Sequence, residues 1–244
     1  MPVFSMTTVH IAVDEVNLSG FANQLALSFS GQEKDITTFA SGGFEQKMVG
    51  LGTFALDASG FQDYVAPSPD ALTNPSALGG FDTFSVSVPG TTAGDIAYFG
   101  QARSTSLTPL DGAVGDVAAF SAQWGGTAKL RRGVMLHPVA ARTSTGNGTT
   151  VVMAGPSATQ ALAAAFHVHS VTGTGTITFV VETDDNSGMT TPTTRITSSA
   201  FAAVGHEVAS VNGAFASETH VRVRWTISGF TSVTFSVAAG VGPQ

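Results

Sequence analysis

Hydrophobic side chains recur at every second position in short runs along this chain. Leu25, Leu27 and Phe29 alternate with Ala26, Ser28 and Ser30. Phe54, Leu56 and Ala58 resume the pattern after a gap, and Phe84, Val86 and Val88 repeat it before Pro89-Gly90. Later come Ile177, Phe179 and Val181, then Val221, Val223, Trp225 and Ile227 with Arg222, Arg224 and Thr226 on the opposite face. Val233, Phe235 and Val237 form the last run. A period of two marks a strand with one face buried. Short runs bounded by Gly, Pro, Asn or Ser predict a sandwich or barrel. The chain reads as mainly β.

One segment departs from this period. Phe44, Met48 and Leu51 stand at i, i+4, i+7, with Ser41 placed to cap the first turn and Gly50 to end the last. This spacing predicts one short helix. A helix of about two turns is marginal alone in water, so it should lie on a sheet with Phe44 and Met48 inward. The Ala-rich stretch 159–166 runs into Phe166-His-Val-His and reads as a strand entry.

Two stretches read as loops. Residues 62–80 hold Pro67, Pro69, Pro75 and Gly79-Gly80, a long irregular excursion of the kind usually functional or disordered. Arg142 to Gly148, RTSTGNG, is a polar joint and the expected domain boundary. The prediction is a β domain over 1–143 and a second β module over 144–244.

Composition narrows the function. The 244 residues carry ten Lys+Arg against seventeen Asp+Glu, a net charge of −7. Neither half is basic, which argues against a dedicated nucleic-acid binder. Cysteine is absent, so disulfides, thiolate metal sites and cysteine catalysis are ruled out. No apolar run approaches the ~18 residues of a membrane-spanning helix, and the first residues lack the pattern of a secretion signal. Charged residues are only 11%, against about 25% in typical domains. A surface of Thr, Ser, Asn and Ala suits close packing between copies, and equally a lightly charged monomer.

Candidate chemistry is sparse. His167 and His169 at i, i+2 place two imidazoles on one strand face, a weak candidate for Zn²⁺ or Ni²⁺. His206, Glu207 or His220 could complete such a site, though nothing in the sequence brings them together; otherwise both rings fill a strand face and hydrogen-bond locally. Asp184-Asp-Asn-Ser-Gly188 resembles the start of a calcium loop, but Met189 and Arg195 occupy the positions that need Gly and Glu, so a turn is the better reading. Gly173-Thr-Gly175 lacks the lysine and third glycine of a phosphate loop. No pattern supports an enzyme, and no cofactor is implied.

The order of residues from Val16 to Ala58 carries a resemblance. VNLSGFANQLALSFSGQ is followed by DITTF and then ASGGFEQKMVGLGTFALDASGF. This is similar to the N-terminal portion of tail tube (major tail) proteins of long-tailed bacteriophages, particularly actinobacterial ones. The matching positions are Asp35, Thr37, Thr38, Phe39, Gly42, Gly43, Phe44, Gly50 and Leu51. Thr108 to Leu136 looks like that family's later hairpin, and the last hundred residues resemble a β-sandwich or jelly-roll module attached to virion proteins.

The resemblance implies a tail-tube-like β-barrel or sandwich followed by a second sandwich. It implies a subunit that builds stacked rings, of three or six copies, enclosing passing DNA without binding it specifically. Assembly would use sheet edges, the 35–51 segment with Met48, and the 62–80 loop with Pro67, Pro69 and Pro75. Implied partners are further copies of the chain and the tail tip, tape measure and tail terminator proteins, with no membrane. The alternatives left open are a capsid decoration or minor tail protein on a preformed lattice, or a carbohydrate- or host-surface-binding module.

Overall fold

The computed structural model describes residues 8–65 and 67–244. It is mainly β, one large antiparallel sheet that is not closed into a barrel. The first part comprises β1 (His10–Val13), β2 (Val16–Asn17), β3 (Ala22–Asp35), β4 (Lys47–Phe61), α1 (Pro69–Thr73), β5 (Phe81–Val88), β6 (Ile96–Asp111) and β7 (Ala119–Gly126). Then follow β8 (Arg131–Arg142), β9 (Gly146–Asn147), β10 (Val151–Val152), β11 (Gln160–Asp184), β12 (Thr193–Thr197), β13 (Gly205–Asn212) and β14 (His220–Pro243).

The alternating runs become strands whose apolar sides meet in two main cores. In the first, Ile11, Val13, Phe84 and Val86 of β1 and β5 face Phe54, Leu56, Phe120, Ala122 and Trp124 of β4 and β7. Phe54 and Phe84, on strands that do not pair, approach to 5.4 Å between ring centroids. Strand β6 joins the layers: its first half pairs with β5, and from Ala102 onward it pairs with β7.

The second core is made by one hairpin folded over itself. Strands β11 and β14 pair from Gln160↔Pro243 to Asp184↔His220. Phe166 and Phe179 share strand β11 and would lie roughly 40 Å apart if it ran straight. Their rings instead stack at 5.4 Å, and Trp225 and Phe235 of β14 meet at 5.2 Å. The ribbon therefore doubles back and packs its two halves face to face, around Leu162, Val181, Ile196 and Val223. The reversal sits where the register shifts around Gly173. Gly173 and Gly229 hold φ of 89° and 86°, in the left-handed region that favours glycine. A Cβ on Gly175 would lie 2.1 Å from the Ser228 carbonyl oxygen.

Strand β8 pairs with β6 on one side and β14 on the other, so one hydrogen-bonded sheet runs through both parts. Small residues let the strands pass closely here: Ala97, Ala163, Ala165 and Ala238 pack with Phe99 and Met135. Beyond Arg142 the polar joint continues into β9, which pairs with β14, and Trp225 Nε1 donates to the Ser144 carbonyl oxygen at 2.9 Å. The strand reading of 159–166 holds, since β11 begins at Gln160.

The helix expected over 41–50 is not formed. Ser41 to Phe44 make a turn, and β4 is already extended from Lys47. Phe44, Met48 and Leu51 are not inward; they are 79%, 54% and 80% exposed. The reason is local. Gly42 and Gly43 adopt φ of 66° and 85°, which ends any helix, and β3 offers Lys47, Met48 and Val49 cross-strand partners in Asp35, Lys34 and Glu33. The one α-helix among the described residues is α1, inside the proline-bearing excursion, with Pro69 in its first turn. That excursion is pinned rather than loose: Leu72 joins the first core, and Gln62 Nε2 donates to Thr73 Oγ1 and to the Pro109 carbonyl oxygen.

Candidate assembly arm and buried polar joint

Strands β3 and β4 form a ribbon that outruns the sandwich. Their pairing extends from Ala22↔Gly60 to Asp35↔Lys47, whereas β7 covers β4 only from Ala55 to Phe61. Outward of Thr53 the ribbon has two strands and no third layer. From Ser28 to Thr53 every residue but the half-buried Ser41 is exposed. A two-stranded hairpin alone is marginal in water, yet this one bears Phe29, Phe39, Phe44, Met48, Val49 and Leu51 in the open. Burying one such side chain contributes about 1.5–3 kcal/mol, so the arm holds on the order of ten kcal/mol of unused apolar surface. The outer edge of β3 pairs with no other strand among the described residues. A long free edge of this kind is a template for another strand.

The tip is built by the residues singled out from sequence. Asp35 Oδ1 accepts from the Thr37 amide at 2.8 Å, and these contacts hold its carboxyl below the usual range. Thr37 Oγ1 accepts from the Gln46 amide across the hairpin at 2.9 Å. The Thr38 amide donates to Ser41 Oγ at 2.9 Å, and Gly42-Gly43 turn the chain. Asp35, Thr37, Thr38, Gly42 and Gly43 therefore shape the tip, while Phe39, Phe44 and Met48 face outward from it. Pro67, Pro69 and Pro75 lie elsewhere, beside the opposite end of β4: Pro69 is buried, Pro67 and Pro75 exposed.

A second cluster lies between the two main cores. The β1–β2 turn, Asp14-Glu15, enters the face of β11 and β13. His167 Nδ1 lies 2.6 Å from the Asp14 carbonyl oxygen, and His169 Nδ1 lies 2.8 Å from that of Glu15. Since carbonyls only accept, both Nδ1 atoms carry the hydrogen. His169 Nε2 then accepts from Ser236 Oγ at 3.0 Å, whereas His167 Nε2 has no partner. Both rings are buried, and desolvation holds them neutral, below their ordinary value. Sharing a face, as their spacing requires, they serve first as caps for two buried carbonyls.

His206 of β13 sits directly across from His167. Its Nδ1 approaches Asp14 Oδ1 at 3.2 Å and Glu15 Oε2 at 3.7 Å. Asp14 Oδ1 also accepts from the Thr83 amide at 2.7 Å, and Asp82 accepts from Trp124 Nε1 at 2.6 Å. Burial outweighs these partners and pushes the Asp14 carboxyl up to about 7. Sequence reasoning reached His167, His169 and His206 but missed Asp14 and Glu15, which lie some 150 positions away and carry no local signal.

The calcium-like stretch is a turn: Asp184 accepts from the amides of Asn186 and Thr191, and Asn186 Oδ1 from that of Gly188.

No family model matches the chain, and no curated protein matches it. Among solved structures, it is similar to a chain in the virion of a native gene transfer agent particle, at 16% identity and TM-score 0.43, over 52% of this chain and 97% of that one. A chain in the tail of the empty gene transfer agent particle gives 16% identity and TM-score 0.39, over 48% and 91%. The Dit protein of phage SPP1 gives 10% identity and TM-score 0.33, over 97% and 100%.

Proposed function

We propose that this chain is a structural virion protein, a tail tube subunit that self-assembles into stacked rings forming the DNA conduit of a phage tail. The observation that carries the reading is the β3–β4 arm. It is apolar, lacks a covering layer and ends in the residues on which the sequence resemblance rests. An arm of 26 residues from Ser28 to Thr53 matches the ≈ 20–30 residues a side of a standard interface. Further copies of the chain cover it in rings of three or six. Tail tip, tape measure and tail terminator proteins bind the ends of the tube, assembled in the host cytoplasm. DNA passes without specific binding, since an acidic, lysine-poor subunit offers few counter-charges to phosphate. The role is mechanical, without catalysis.

The test is to shorten the arm. Replacing residues 36–46 by Asn-Gly, a two-residue turn suited to hairpins, and adding Phe29→Ser and Leu51→Ser removes the apolar tip but no core residue. The expected product is a folded monomer by sedimentation that forms no polymer at concentrations where the full chain does. Tubes of unchanged abundance from the shortened chain would sink the reading.

A further inference from the structure

Asp14, Glu15 and His206 converge from elements that belong to different sandwiches. Their nearest ligand atoms, one from each residue, all lie within 4.8 Å of one another. His206 Nδ1 is wholly buried and stands within 3.2 Å and 3.7 Å of two carboxylate oxygens, yet forms a hydrogen bond to neither. The Glu15 contact is too long for a hydrogen bond, and the three atoms are spaced close to, though slightly wider than, ligands around a shared centre: at about 2.0–2.2 Å from a metal these stand roughly 3–3.5 Å apart.

Charge and unused donors in the same joint point the same way. Three carboxyls, Asp14, Glu15 and Asp82, act on the single imidazole of His206, more acidic groups than one imidazole can pair. Independently, two wholly buried imidazoles leave a nitrogen without a partner: His167 Nε2 and His10 Nε2. His167 touches Asp14 through its Nδ1 and, with that atom protonated, presents a bare lone pair at Nε2. A buried lone pair without a donor is costly; His167 is not one of the three residues whose ligand atoms converge, so it marks a joint short of donors and not a fourth ligand.

We infer that Asp14, Glu15 and His206 bind one divalent first-row cation of the zinc class, which clamps the β1–β2 turn of the first sandwich to β13 of the second. Two carboxylates and one imidazole suit zinc, whereas magnesium prefers oxygen alone. One solvent-facing position remains for water, because the Glu15 and His206 side chains are 32% and 31% exposed. The role is structural, tying residues far apart in sequence, and it stands apart from the assembly reading.

Titration calorimetry of ZnCl₂ into the chelator-treated full chain tests this, with thermal unfolding recorded with and without zinc. The expected result is one zinc per chain, a higher unfolding midpoint with zinc, and affinity lowered at least tenfold by Glu15→Gln or His206→Gln. His220→Gln, outside the cluster, should leave affinity unchanged. Should His206→Gln fail to fold, Glu15→Gln carries the test, its side chain being partly in solvent. Absence of zinc binding overturns the inference, as does binding that survives both substitutions or that magnesium displaces at equal concentration.

Discussion

His137 shows how a single residue can set the acid limit of this fold. It is 2% exposed, stacked on Phe235 at 4.3 Å and edge-on to Trp225 at 5.1 Å between ring centroids. Arg142 Nε donates to its Nε2 at 3.0 Å. Burial first, and the Arg142 charge second, push its pKa from 6.5 down to about 4. The folded value lies below the unfolded one, so the unfolded chain takes up the proton first. This group leaves stability unchanged above pH 6.5 and reduces it as pH falls toward 4, by about 1.4 kcal/mol per pH unit. Urea unfolding of the wild type and of His137→Gln between pH 7 and 4.5 isolates it. The difference between the two stabilities should shrink with that slope below pH 6.5; a difference flat in pH contradicts the assignment. The alternation that placed Trp225 and Phe235 in the core was legible in the sequence. His137 as their neighbour was not, because β8 meets β14 only through pairing across nearly a hundred positions.

At the level of elements, the β11–β14 ribbon turns on a few glycines. Gly229 has φ of 86°, and a Cβ there would meet the Thr174 carbonyl oxygen at 2.5 Å. Gly229→Ala combines left-handed backbone strain with a clash against backbone, so a loss of about 2–4 kcal/mol is expected. Gly188→Ala, in an exposed turn without positive φ, is the control and should cost under about 1 kcal/mol. Equal stability of both variants by chemical unfolding would contradict a tight reversal at Gly229. The sequence showed each strand of this ribbon but not its doubling back, since Gly173-Thr-Gly175 has the composition of any loop. The arm was misread for the opposite reason. Strand β4 from Lys47 to Thr53 is exposed on both faces, so it has no buried side to impose alternation, and Met48 and Leu51 fall by chance on a helical spacing with Phe44 of the preceding turn.

Across the whole molecule, one continuous hydrogen-bonded sheet runs through β6, β8 and β14, and one ribbon projects from it. Such a shape has an apolar donor arm and free strand edges, and a copy-to-copy contact between unlike surfaces closes into a ring or propagates as a filament. The composition fits this use. A chain with 11% charged residues has little charge repulsion between copies, and few long flexible side chains to immobilise on contact. Composition alone could not show which ribbon escapes the sandwich, and the proposed contact rests on that ribbon.

Self-assembly into a hollow polymer is tested by negative-stain electron microscopy of the purified chain across a concentration series. Preformed tail-tip complexes are added to parallel samples, with light scattering on each. Rings or tubes with a central opening of at least about 20 Å are expected above a threshold concentration or on addition of the tip complex, and none from the arm-shortened variant. Discrete monomers at every concentration, with and without the tip complex, would contradict self-assembly.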